Sequence, residues 1–122
     1  MARPRNFQED DVIDRAADAF GRLGYAACSI DDLVIATGLQ RGSLYKVFGS
    51  KRGLFEQVLR KALVADWYDR PAALDIMITA LREMAGIDAP IAALCRTALA
   101  AYSGDAARLL GVRLLQHLPD KE

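Results

Sequence analysis

The chain has 122 residues, is 52% hydrophobic, and carries 16 Lys and Arg against 16 Asp and Glu, a formal net charge of zero. That suffices for one or two small domains with a real core; no apolar run approaches the ~20 residues that span a bilayer, and no signal-peptide segment follows Met1. Cys28 and Cys95 lie far apart and match no metal-ligand spacing, which predicts two buried thiols in a reduced, cytoplasmic compartment, with no metal and no cofactor.

Residues 1–7 carry Arg3 and Arg5 around Pro4. They read either as a solvated terminus or as a basic arm that touches phosphates or a minor groove. A first helix is predicted from about Gln8 to Leu23, because Val12, Ile13, Ala16, Ala17, Phe20 and Leu23 share one face at helical periodicity. Glu9, Asp10 and Asp11 sit in its first turn, where the positive helix end favours acids, and Gly24 stops it.

The second helix covers about Ser29 to Thr37, with Ile30, Leu33 and Ala36 inward. Ser29 followed by Asp32 has the spacing of a capping box. Gly38 breaks this helix, since glycine enters a left-handed turn without a Cβ penalty. A short third helix covers roughly Gln40 to Phe48. At about 100° per residue, Leu44, Val47 and Phe48 point one way, and Arg41, Gly42, Tyr45 and Lys46 the other, with Ser43 on the flank. The bare backbone at Gly42 and Ser43 admits a bulky partner between two cations and a phenol. A helix-turn-helix reading places that face in a DNA major groove.

Ser50 is the predicted N-cap of a fourth helix running to about Trp67, with Leu54, Phe55, Val58, Leu59, Ala62 and Ala65 as its stripe. Asp69-Arg70-Pro71 breaks and restarts the chain. A helix to about Ala85 then carries Leu74, Met77, Ile78, Leu81 and Met84. Asp88 caps another, from Ala89 to about Tyr102, with Ile91, Leu94, Cys95, Ala98 and Leu99 inward. A last helix, after Ser103-Gly104-Asp105, runs to about Leu118. Its Leu109, Leu110, Val112, Leu114, Leu115 and Leu118 cover most of the circumference, so it is expected to be buried, with a partner subunit as cover. Nothing alternates with the period of a strand, and no repeat is visible.

Charge is unevenly placed. Residues 1–61 hold ten cations and eight acids; residues 62–122 hold six and eight. This asymmetry is too mild to argue nucleic-acid binding on its own. Locally, Gln40 to Lys61 holds Arg41, Lys46, Lys51, Arg52, Arg60 and Lys61 against Glu56.

The run Ala36-Thr-Gly-Leu-Gln-Arg-Gly-Ser-Leu-Tyr-Lys-Val-Phe-Gly-Ser-Lys51, followed by Leu54 and preceded by Phe20-Gly-Arg-Leu-Gly-Tyr25, resembles the DNA-binding domain of TetR-type transcriptional repressors over about residues 8–60. The resemblance implies an all-α fold. Residues 1–50, with the start of the fourth helix to about 60, would form the helix-turn-helix domain. A long connecting helix and a small C-terminal bundle over 61–122, a reduced regulatory and dimerisation region, would follow. It implies a homodimer on a palindromic operator of double-stranded DNA, acting as a repressor. The DNA-contacting residues it suggests are Ser29, Arg41, Gly42, Ser43, Tyr45, Lys46 and Lys51, with Arg3 and Arg5 from the arm. Arg41 and Lys46 are candidate base readers, with phosphate-only contact the alternative for each. Tyr45 lies against the sugar-phosphate wall, or closes the small core beside Phe48. Lys51, in a first helical turn, suits a phosphate.

The resemblance also implies a small-molecule effector, expected in a cavity among Met77, Leu81, Leu94, Leu99 and Tyr102. Family members usually carry a longer C-terminal part, so the region here is either reduced or truncated. Val34, Ile35 and Val47 depart from the family pattern, and Asp31 places a carboxylate where some members contact DNA. Asp31, Ile35 and Val47 support an alternative, a helical protein-interaction module that no longer binds DNA specifically. An enzyme is disfavoured: His117 is the only histidine, and no nucleophile elbow, phosphate-cradling glycine loop or paired carboxylates are present.

Overall fold

The computed structural model describes residues 7–120. Among them, seven α-helices and one short 3₁₀ turn follow in order: α1 Phe7–Leu23, α2 Ile30–Thr37, α3 Arg41–Phe48, α4 Lys51–Ala62, the 3₁₀ turn Trp67–Asp69, α5 Pro71–Glu83, α6 Ala89–Ala101 and α7 Ala106–Leu115. The all-α expectation holds. No helix of the described residues is long and apolar enough to cross a membrane.

Local chemistry starts and stops these helices where the sequence indicates. Ser29 and Asp32 close a reciprocal capping box at α2, with Asp32 N–H donating to Ser29 Oγ at 3.0 Å and Ser29 N–H donating to Asp32 Oδ2 at 2.9 Å. Those bonds lower the Asp32 pKa, the Ser29 backbone N–H contributing most. Gly38 ends α2 at φ 76°, a left-handed conformation that any side chain would strain. Ser50 caps α4, Asp88 caps α6 and Asp105 caps α7, each side chain accepting from a first-turn backbone N–H.

The apolar faces of α1, α2, α4, α5 and α6 converge on one continuous core. Phe20, Phe55, Leu33, Leu59, Met77 and Ile91 are fully buried in it. Tyr25 stacks on Phe20 at 5.8 Å between centroids, and both rings meet Phe55 edge-on, at 5.2 and 5.1 Å. A carboxylate holds this corner from outside. Tyr25 and Ala26 N–H donate to the two oxygens of Glu83, at 2.7 and 3.0 Å, so α5 grips the loop between α1 and α2. Burial pushes the Glu83 carboxyl up, but the two backbone N–H groups outweigh it and the pKa is lowered.

The α3–α4 corner is set by backbone contact. A Cβ added at Gly53 would lie 2.1 Å from the Phe48 carbonyl oxygen. Only glycine lets α4 pass this close under the end of α3.

One expectation fails. The fourth helix stops at Ala62, five residues before Trp67, so it is not the long connecting helix of the sequence reading. Ala65 is exposed rather than part of the stripe, and Asp66 turns the chain at φ 67°. The turn swings Trp67 into the core, where it is 2% exposed. Arg70 Nη2 donates to the Ala62 carbonyl, satisfying one of the acceptors freed at the helix end. Periodicity alone gives no reason to stop, since Leu63, Val64 and Ala65 all suit a helix; burying the indole decides it. Helix α7 has no residue buried within the chain, so the cover expected for it is not supplied by the chain itself. Leu109 and Leu110 pack on the core, while Val112, Leu114 and Leu115 face outward, as does Leu118 beyond the helix. Polar bonds hold α7 to α5: Arg113 makes a bidentate pair with Asp75 at 2.8 Å on both arms, and His117 Nε2 lies 3.1 Å from Asp75 Oδ1.

Two predictions follow from these packing details. Gly53→Ala, which in a helix interior usually stabilises by about 0.5–1 kcal/mol, should instead destabilise by about 1–3 kcal/mol through overpacking, read as a lower urea midpoint. Glu83→Gln should cost about 1–2 kcal/mol at neutral pH by weakening charge-assisted bonds. Because the native pKa of Glu83 lies below its ordinary value of 4.5, that contribution is complete above pH 4.5 and disappears as pH falls through the native value. Urea curves of variant and parent should therefore converge in acid and separate toward neutrality.

Candidate nucleic-acid interface

Helix α3 stands at the edge of the core and is anchored by few apolar side chains. Leu44 is its one buried residue, and Phe48 is half-buried against the core. The opposite face is open: Arg41, Gly42, Ser43, Tyr45 and Lys46 are all exposed. Nothing lies within 4 Å of a Cβ built on Gly42, so this glycine is not required by the packing of the chain itself. The structure agrees with the sequence reading that Arg41, Gly42, Tyr45 and Lys46 face outward, but Val47, expected on the inner side with Leu44 and Phe48, is exposed as well, at 49%.

Tyr45 is half open to solvent and half tucked against the core. It remains 43% exposed, yet it lines a narrow crevice with Leu33, Leu44, Ser50, Lys51 and Leu54. The crevice brings Tyr45 beside the first turn of α4. There Lys51 Nζ sits 4.4 Å from the centroid of the Tyr25 ring, a cation–π contact that fixes the ammonium near the start of α4. Burial raises the Tyr25 pKa, so its hydroxyl stays neutral under that cation.

The cations that looked free in sequence are largely committed to acids of the same chain. Arg41 Nη2 donates to Asp31 Oδ1 at 2.5 Å, across the turn between α2 and α3. Arg52 makes a bidentate pair with Asp88, at 2.6 and 2.9 Å, and also donates to Glu56 at 2.8 Å. Its guanidinium pKa is raised, chiefly by the Asp88 bonds. Arg60 reaches the other oxygen of Glu56, and Lys61 pairs with Asp14 at 2.8 Å. Lys46 makes no ion pair with a described residue. The cationic surface that remains is therefore narrow: Lys46, Lys51 and the outer edge of Arg41.

Ser29 keeps its exposed position, but its oxygen accepts the Asp32 N–H of the capping box, which commits one of its two lone pairs. Arg3 and Arg5 lie outside the described residues. The residues expected around an effector do not gather. Met77 is fully buried in the core and Leu81 is at the surface. Leu94 lines a groove with Trp67 and Ala98, whereas Tyr102 lines a different one with Leu109 and Arg113. The expected common cavity is thus corrected: Met77 fills the core, Leu81 is at the surface, Leu94 and Tyr102 line separate grooves, and Leu99 packs partly buried against the core. Among the described residues, no group of three or more His, Cys, Asp or Glu is placed to hold a metal ion.

Sequence reasoning missed three participants. Asp31 was read as a carboxylate facing DNA and is the partner of Arg41. Tyr25 was read as the end of a motif and is the platform for Lys51. Arg52 was counted as part of a basic patch and is a strut to the cap of α6; its spacing of four from Glu56 was the available signal.

Residues 12–58, which include every helix of this surface, match the profile of the bacterial regulatory proteins of the tetR family. The chain is 46% identical over 57 residues to the HTH-type transcriptional repressor ComR of Escherichia coli, which covers 47% of this chain and 27% of that protein. It is 38% identical over 63 residues to the HTH-type transcriptional regulator YezE of Bacillus subtilis, covering 52% of this chain and 32% of that one. A longer alignment links it to the HTH-type transcriptional repressor KstR2 of Rhodococcus jostii, 28% identical over 120 residues, 90% of this chain and 55% of that protein. The chain thus spans about half, or less, of the curated relatives it matches. No solved structure matches it significantly. Over residues 12–58, the chain is therefore similar to the tetR family of bacterial regulatory proteins.

Proposed function

We propose that this chain binds double-stranded DNA sequence-specifically and regulates transcription, as a repressor acting on a palindromic operator. The observation that carries the reading is the open face of α3, with a bare backbone at Gly42 that the fold itself does not need. Lys46 and Arg41 flank that backbone, and Tyr45 and Lys51 stand beside it at the start of α4. Docked in a major groove, α3 would put Arg41 at base edges. Tyr45, Lys46 and the Lys51 ammonium would bear on the phosphate walls. Its similarity to the transcriptional repressors ComR and KstR2 supports the same assignment.

A homodimer belongs to this proposal, with two copies of α3 about one helical turn of DNA apart. In this reading residues 1–50 act on DNA and residues 61–122 serve pairing. The outward Leu114, Leu115 and Leu118 support it, since together they form an apolar face that water does not favour. We do not extend the proposal to a small-molecule effector, because the residues expected to bind one share no cavity. The second reading, a protein-interaction module, draws on Ile35, 82% exposed at the middle of α2. Salt separates the two. Contacts to several phosphates weaken steeply as salt rises, and an apolar contact does not.

Selection from a random duplex pool supplies the DNA for two tests. Gly42→Ala should raise the thermal stability of the chain, by up to about 1 kcal/mol, while weakening its affinity for the selected duplex. A substitution that left affinity unchanged would show that no partner approaches this backbone. Lys46→Ala and Tyr45→Ala should weaken binding to every duplex alike, with Lys46→Ala reducing the salt slope by about 1. Arg41→Ala should relax the preference at one base pair, by about 1–3 kcal/mol. Fluorescence anisotropy over a salt series reads all three.

A further inference from the structure

Asp31 is the second residue of α2 and Arg41 the first of α3, and the turn at Gly38 brings their charges together on the outer surface. Both side chains are more than half exposed, 78% for Asp31 and 56% for Arg41. An ion pair this wet contributes little to stability, so folding does not explain it. Helix capping does not explain it either, because the capping box of α2 uses Asp32. Within the stretch from Ser29 to Lys51 the acids are Asp31 and Asp32, and the Asp32 carboxylate already accepts from Ser29. Asp31 is therefore the outward acid of the surface that would meet DNA.

Resting on the DNA-binding reading, we infer that Asp31 is a positioning residue that sets sequence specificity through Arg41. A guanidinium has five N–H donors in a rigid fork. Asp31 takes one through Nη2, which leaves the others for acceptors on a base edge. The tether also keeps the guanidinium from swinging to the nearest phosphate. Paired, Arg41 and Asp31 carry no net charge, so they add little to the sequence-independent attraction that every duplex exerts. A free arginine would strengthen binding to all DNA; the tethered one favours the sequence whose bases meet it.

The test compares a selected duplex with an unrelated one of equal length. Asp31→Asn keeps the size and removes the charge. It should strengthen binding to the unrelated duplex, steepen its salt slope by about 1, and lower the ratio of specific to non-specific affinity by about tenfold, the discrimination of one base contact. Asp31→Glu, which retains a carboxylate, should keep the ratio near that of the parent. In an Arg41→Ala background, Asp31→Asn should leave the ratio unchanged. Equal strengthening on both duplexes would overturn the inference, because Asp31 would then act only by repelling phosphate. So would a ratio that falls as far without Arg41 as with it. A parent chain that enriches no duplex at all would instead remove the DNA-binding reading, and this inference with it.

Discussion

The corner at Tyr25 is the constraint on which the rest of the molecule depends. Its ring lies on Phe20 and against Phe55, and its backbone N–H is held by Glu83. Helices α1, α4 and α5 are thereby tied at one point. Lys51 settles on the outer side of the same ring, so the first turn of α4 takes its position from it. Where α4 starts, α3 must follow, because Gly53 passes directly under the Phe48 carbonyl. The outward surface of α3 is aimed from the core, through an aromatic stack and a glycine contact. The few buried residues of α3 alone could not do this.

That arrangement separates two demands on one short helix. Its inner side needs only Leu44 and the half-buried Phe48 to hold it to the core. Its outer side is left to small and cationic residues that contribute nothing to packing. A glycine in a helix interior costs stability, and here no contact within the chain repays it at Gly42. A fold that carries such a cost on its surface has a use for bare backbone there. The ion pairs around it act in the same direction. By absorbing Arg52, Arg60 and Lys61 into pairs with acids of the chain, they narrow the unpaired positive charge near α3 to Lys46, Lys51 and the edge of Arg41.

Much of this was legible in the residues. Ser29 with Asp32, Gly38, Ser50, Asp88 and Asp105 mark helix ends by local chemistry, and the helices end close to them. The outward face of α3 followed from periodicity, since so few of its positions are apolar. What escaped was non-local. No pattern within α4 says that it ends at Ala62, because the reason is an indole that must be buried and an arginine eight residues on that donates to the freed carbonyl. The partners Asp31 and Arg41 are ten positions apart, and Arg52 and Asp88 thirty-six. Such pairs exist only once the turns have been made. Helix α7 is a related case: an all-round apolar sequence predicts burial, and within this chain only its Leu109 and Leu110 pack on the core.

The central claim is that the outer face of α3, with the first turn of α4, is where this chain meets a duplex. Backbone amide chemical shifts of the whole chain, recorded while a selected duplex is titrated in, test it most directly. The account predicts that the perturbed amides concentrate between Arg41 and Lys46 and between Ser50 and Gly53. Perturbations confined to α7 and Leu118, or none at saturating duplex, would contradict it.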